Sequence, residues 1–294
     1  MSRAFALATP HRLATEAGAE AFRGGGNAID AAVAAAAALT VVYPHNCAIG
    51  GDVIALVATP DGSLVVVNGS GASAAAASAA ELRKQHAQMP AGGAATVTVP
   101  GAVAAWASLL ALGGRRTLAQ ALEAAIAHAE DGVPVARSLA AATRSLRDEL
   151  AADKGASEVF LRKGAPLGEA EPLRQPSLAH TLRSIAANGP AALYGGEVGA
   201  HLLACLRSRG SQLTPDDLAA HETELAAPIA ASFGELEVLT GGPNSQGFVL
   251  LEILAGLEAC GDGLDVGGGD AGTLARLFAL TASDRERYLA DPRF

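Results

Sequence analysis

Aromatic side chains are scarce: three Tyr, seven Phe and one Trp make up 4% of 294 residues. Half the chain is nevertheless hydrophobic. The apolar content is therefore dominated by alanine, which suits a closely packed, helix-rich α/β protein. Cysteine is also sparse. Cys47, Cys205 and Cys260 are odd in number and far apart, which points neither to a disulfide framework nor to a zinc site. Positive charge is short, with 21 Lys and Arg against 30 Asp and Glu, a formal net charge of −9. No basic cluster offsets it, so neither nucleic acid nor an anionic membrane surface is an expected partner. The seven histidines show no HExxH or comparable ligand spacing, so no metal is expected. The longest apolar run, around Ala31–Val42, is too short to cross a bilayer. Met1-Ser2-Arg3-Ala4-Phe5 opens no signal-peptide core. A cytoplasmic protein is the default, with export behind a removed leader left open. No repeat or linker is visible, and a single domain over 1–294 is expected.

What is present is organised around the stretch from His11 to Asp52. Gly24-Gly25-Gly26 must break a preceding helix, because three glycines in a row cost too much inside one. Asn27 is then placed as an N-cap, with Asp30 at the third helical position, where a carboxylate meets the positive end of the helix. From Ala31 to Val42 only Thr40 is polar, so this helix is expected to be buried on most sides. Pro44 stops it, and Gly50-Gly51 free the backbone to turn into a strand.

Phe5–Thr9 reads as a first strand. Val53–Ala58 and Leu64–Val67 read as a hairpin around Thr59-Pro60-Asp61-Gly62-Ser63, followed by a polar loop from Asn68 to Ser73. Ser78 caps a helix reaching Gln88, and Thr96–Val99 alternates like a strand. Helices are expected around Trp106, from Thr117, and from Arg137 to Ala152, then a mixed surface region over 153–172. Further helices lie after Arg174, after Tyr194 and at Thr214-Pro215. Two strands, Ile229–Phe233 and Leu236–Thr240, lead into Gly241–Gly247, and helices over 248–258 and from Ala271 to Leu289 close the chain.

The run Ala14-Thr15-Glu16-Ala17-Gly18 … Gly25-Gly26-Asn27-Ala28-Ile29-Asp30-Ala31-Ala32-Val33 … Pro44-His45 … Ile49-Gly50-Gly51 resembles the N-terminal signature of the gamma-glutamyltranspeptidase family. Arg174–Leu182, Tyr194–Glu197, Leu213–Leu218, Pro243–Gly247 and Asp284–Pro292 fit the same family in the same order. The family belongs to the N-terminal nucleophile (Ntn) hydrolases. The resemblance implies an α/β (α+β) fold, an αββα sandwich of two sheets between helical layers. It also implies a precursor that cuts itself to expose a threonine, whose α-amine serves as the general base. That threonine falls beyond the segment resembling Asp284–Pro292, so the chain looks like the large subunit. Its expected partner is a small subunit carrying the nucleophile, with a dimer of heterodimers possible; no cofactor is implied.

No residue here matches the nucleophile. Ser2 would pair hydroxyl and amine if Met1 were removed, though a routinely processed terminus is the plainer reading. Cys47 beside His45 invites a Cys/His reading, but a small core residue is plainer. The resemblance makes this chain a pocket wall built from Asn68, Ser70, Gly71 and Ala72, from His45 and Asn46, and from Asn244, Ser245 and Gln246. His45 reads first as a core histidine bonded to backbone. Asn244 or Ser245 reads equally as a helix cap and as a side chain facing the threonine. The family's arginine, which clamps the α-carboxylate of a gamma-glutamyl group, falls on Ala72, and Arg83 is a distant substitute. Alanine cannot make that bidentate contact. The implied reaction is therefore acyl transfer from a small amide other than an ordinary gamma-glutamyl compound. Hydrolysis of oxalyl-type amides, C–C bond hydrolysis in natural-product biosynthesis and a non-catalytic scaffold stand as alternatives.

Overall fold

The computed structural model describes residues 5–59, 61–261 and 263–291. Ser2, Pro60 and Pro292, each singled out above, lie outside them. The chain forms two compact units: one runs to Asp52 and resumes over Gly71–Glu222, and the other holds Val53–Ser70 and the residues from Thr223 onward. The chain thus passes from one unit to the other three times. Units interleaved in this way need no linker, which is why none is legible.

The first unit is helical and is built on the helix Ala28–Val42. Gly25 takes a left-handed φ of 87° and ends the helix Arg12–Arg23. Asn27 then caps the next helix from its side chain, accepting from the amides of Ile29 and Asp30. The Asp30 carboxylate accepts in turn from the Asn27 amide at 2.7 Å, so the expected N-cap and third-position carboxylate together form a capping box. The same carboxylate is fully buried. It also accepts from the amides of Arg115 and Arg116 at 2.8–3.0 Å, where the chain enters the helix Leu118–Asp131. Small residues let the helices close on one another. A Cβ on Gly18 would stand 2.8 Å from the carbonyl of Ala31. Leu122, Leu182, Ile185, Val33, Val41 and Trp106 fill the core. Gln175 ties the end of the central helix to its neighbour: its side chain donates to Val41 O at 2.9 Å and its amide to Ala129 O at 2.8 Å.

Three expectations in this unit are corrected. Phe5–Thr9 belongs to no helix or strand among the described residues. Its apolar side chains pack instead on the first helix, with Phe5 stacked on Phe22 at 4.2 Å. Thr96–Val99 is no strand either. A short 3-10 turn, Ala94–Thr96, precedes it, and the amide of Val99 goes to the Ala72 carbonyl at 2.9 Å. The expected helix from Arg137 to Ala152 is two helices, Arg137–Ser145 and Arg147–Ala152, broken at Leu146. The mixed region after it holds the helix Lys154–Phe160 and a two-residue hairpin, Leu161–Arg162 with Ala165–Pro166.

The second unit is the sheet-bearing one. Val53–Ala58 and Leu64–Gly69 form the expected antiparallel hairpin, and Glu224–Ala226 adds a third strand antiparallel to the second. Asp61 fixes the turn through the hydroxyls of Ser63 and Thr59 and the amide of Ser63. Those bonds hold its carboxyl down at about 2. A second hairpin pairs Ile229–Phe233 with Leu236–Thr240. The helices Gly247–Ala259 and Ala271–Tyr288 pack together where Gly256 meets Leu277; a Cβ there would stand 2.5 Å from the leucine methyl. No helix among the described residues is long and apolar enough to cross a membrane.

Replacing Asp30 with alanine strands three backbone amides, each costing about 1–3 kcal/mol when buried without an acceptor. We expect Asp30→Ala to lower unfolding free energy by about 3 kcal/mol or more, read from the urea midpoint at unchanged slope.

Candidate active-site surface

In the second unit the structure brings together three of the residues singled out in the sequence. Asn68 ends a hairpin strand and turns its side chain back on its own loop: Oδ1 accepts from the amide of Ser70 at 3.2 Å and from its hydroxyl at 2.6 Å. This is an Asx turn, which fixes the loop without any large side chain. Asn68 Nδ2 donates to Asn244 Oδ1 at 3.0 Å, a contact across 176 residues of sequence. Glu224 joins from the third strand, accepting from Asn68 Nδ2 at 3.4 Å. With Oδ1 engaged by Asn68, the Asn244 amide nitrogen makes no hydrogen bond among the described residues. It is a neutral donor held by its neighbours, the kind of group that stabilises a developing oxyanion.

Ser245 and Gln246 are not part of this cluster. Ser245 Oγ donates to Gly241 O at 3.1 Å and accepts from the Gly247 amide at 3.1 Å, which makes it a turn-and-cap residue of the following helix. Gln246 Oε1 accepts from Arg285 at 3.3 Å. Ser245 thus serves the turn before the helix Gly247–Ala259, whose N-cap position is Gln246, and Asn244 meets the Asn68 loop.

In the first unit, Gly71 and Ala72 are pinned at both ends. The Gly71 amide donates to Asp52 Oδ1 at 3.2 Å, and the Ala72 carbonyl accepts from Val99. Gly71 approaches Val99 so closely that a Cβ would fall on the Val99 carbonyl, so this glycine is required by close approach and not by a positive φ. Ala72 is exposed, and so is Arg83 on the helix Ala79–Gln85. Among the described residues, Asp52 is the one charged side chain hydrogen-bonded to Gly71 or Ala72.

His45 and Asn46 follow the central helix. Asn46 is exposed in a turn closed by its amide on Tyr43 O at 3.1 Å. His45 differs from expectation: its ring lies 4.2 Å from that of Tyr43, and both ring nitrogens are buried without a hydrogen-bond partner. A core histidine bonded to backbone is therefore not what is found. Burial holds its imidazole below the usual range. The same cause acts on the Cys47 thiol in the opposite direction and pushes it up, away from the thiolate a nucleophile needs. Sequence reasoning did not single out Asp52 or Glu224, the carboxylates that accept from the Gly71 amide and from Asn68. Each is a lone carboxylate beside a strand end, with no motif to mark it.

The comparisons with known proteins take the same direction. The model of a family described as Gamma-glutamyltranspeptidase matches residues 14–294. The chain belongs to that family. It is 37% identical over 254 residues to a glutathione hydrolase-like YwrD proenzyme of Bacillus subtilis, covering 86% of this chain and 48% of the relative. It is 34% identical over 293 residues to an oxamate amidohydrolase proenzyme of Klebsiella pneumoniae, covering 97% and 55%. Gamma-glutamyltranspeptidase of Helicobacter pylori superposes with a TM-score of 0.89 at 28% identity, over 98% of this chain and 84% of that one. The mixed architecture of helices and antiparallel sheets is thus the Ntn-hydrolase fold. The chain spans about half the length of the curated relatives it matches.

Two predictions arise here. Gly71→Ala forces the loop off Val99, breaking the bonds to Asp52 and Val99. We expect a drop of about 2 kcal/mol or more in unfolding free energy, as for other overpacked sites, read by denaturant titration. The second concerns pH. Burial holds His11, His45 and His128 below their ordinary range. For His11 the charges of Arg12, His128 and His45 act in the same direction against Glu16, and for His128 the carboxylates of Glu20, Glu16 and Asp131 oppose it. The unfolded chain then binds more protons just below its ordinary histidine pKa of about 6.5. Stability is full above that value and falls as pH drops through it. Urea midpoints should decline from pH 7.5 to 5.5, and His45→Phe, which removes two unpartnered nitrogens, should flatten the decline.

Proposed function

We propose that residues 1–294 make up the large-subunit part of an Ntn amidohydrolase whose acyl substrate lacks the gamma-glutamyl α-carboxylate. The nucleophile is a threonine at the new N-terminus of a second segment, the small subunit. Its hydroxyl oxygen attacks the amide carbonyl while its α-amine takes the hydroxyl proton. That proton passes to the leaving nitrogen as the C–N bond breaks. Water then cleaves the acyl ester, releasing a carboxylic acid and restoring the threonine. The sheet-bearing unit contributes the free amide of Asn244 as an oxyanion or substrate donor, with Asn68 and Ser70 as its support; the helical unit contributes Gly71–Ala72 for the acyl group, with His45 and Asn46 beside the central helix.

The observation that carries the substrate reading is Ala72, an exposed alanine whose backbone is tied through its own carbonyl to Val99 and through the Gly71 amide to Asp52, at the position where the resemblance puts a carboxylate-clamping arginine. A second segment is supported by the apolar side chains the sheet-bearing unit leaves uncovered. Leu236 on the second hairpin and Leu280 and Tyr288 on the last helix are 66%, 62% and 65% exposed. The names of the two curated relatives, both proenzymes, support cleavage into two parts. The oxamate reading of the second relative is less well supported here, because oxamate itself carries a carboxylate and Ala72 offers it no cation.

Intact-mass analysis and N-terminal sequencing of the purified full-length protein test this. We expect two chains, the second starting with threonine, and an acyl adduct on that threonine after mixing with an acyl p-nitroanilide. Ala72→Arg should raise hydrolysis of the gamma-glutamyl anilide at least tenfold, the worth of one restored charge-assisted bond. An uncut chain, or an adduct on any other residue, overturns the proposal.

A further inference from the structure

The Gly71–Ala72 segment is not merely missing a positive charge; it faces a negative one. Asp52 follows Gly50-Gly51 and is exposed. Its Oδ1 accepts from the Gly71 amide at 3.2 Å, while its Oδ2 has no hydrogen bond or ion pair among the described residues. The backbone on either side is fixed. The amides of Gly101 and Ala102 donate to the Gly51 carbonyl at 3.0 and 2.9 Å, and Val99 donates to Ala72 at 2.9 Å. Tyr194 closes the junction from behind, its hydroxyl donating to Pro100 O at 2.7 Å and accepting from the Ala104 amide at 3.2 Å. That phenol is pushed up to about 12, chiefly by burial, with the Asp52 charge adding to it. The carboxylate is therefore tied to the backbone amide that precedes Ala72, with one oxygen unspent and no ion pair among the described residues.

We propose that Asp52 is a specificity-determining residue, and that the acyl site accepts groups bearing an ammonium and no carboxylate. This rests on the reading that Gly71 and Ala72 line the acyl group. A carboxylate on the substrate would meet the Asp52 charge and lose its hydration without compensation, whereas an ammonium would receive a charge-assisted bond from Oδ2. A substrate that carries both groups, as a gamma-glutamyl amide does, would gain one interaction and suffer the other.

Two p-nitroanilides separate the charges of a gamma-glutamyl group: 4-aminobutyryl keeps the ammonium alone, and glutaryl keeps a carboxylate alone. With the processed holoenzyme, the ratio of kcat/KM for 4-aminobutyryl over glutaryl should be about tenfold or more at low salt, and should shrink as salt is added. Asp52→Asn keeps an oxygen for the Gly71 amide and should bring the ratio close to one. Ala72→Arg should invert it. A purely structural role for Asp52 would lower both rates and leave the ratio unchanged, and that result overturns the proposal. So does a wild-type ratio at or below one, or a processed enzyme that turns over neither anilide. Absence of a threonine-headed second chain would instead overturn the amidohydrolase reading itself.

Discussion

The helical unit depends on one buried carboxylate. Asp30 receives the amides of Asn27, Arg115 and Arg116, and so holds three things at once: the glycine turn, the first turn of the central helix and the entry to the helix Leu118–Asp131. Its charge lies at the helix N-terminus, where the backbone dipoles favour an anion. The carboxylate's cost of burial is offset by donors from two elements distant in sequence. Because the rest of the central helix is nearly all apolar, it has no other charged side chain to orient it. The polar anchor at its start supplies the register that its apolar surface lacks.

Much of this was legible, for a physical reason. Capping residues, glycine breaks and helical spacing act locally, so Asn27, Asp30, Thr117, Thr214 and the hairpin around Asp61 could be read from neighbours within a few positions. The failures are the places where tertiary contacts decide. Phe5–Thr9 has the alternation of a strand, yet its rings and methyls are used on a helix. Val99 spends its amide on Ala72 rather than on a sheet. Leu146 interrupts a helical pattern that shows neither proline nor glycine to announce the break.

The candidate site divides in the same way. Asn68, Ser70 and Asn244 were recognisable one by one through the family signature, but their meeting across 176 residues is a property of the fold. Ser245 turned out to serve the backbone, and Gln246 an exposed arginine. Asp52 and Glu224 carry no signature at all. A single carboxylate at a strand end looks like any solvated charge until the amide or side chain it touches is known. The family resemblance named the loops, and the fold shows which carboxylates are bonded to them.

The bond from Gly71 to Asp52 has a consequence for how the chain is put together. It joins the residue before the chain leaves the helical unit to the residue where it returns. The hairpin between them is thus an excursion stapled shut at its base. Length changes at its tip, around Gly62, are absorbed beyond the staple and need not disturb the helices. The outermost turn of the sheet-bearing unit can therefore change in length while the staple between Asp52 and Gly71 stays closed.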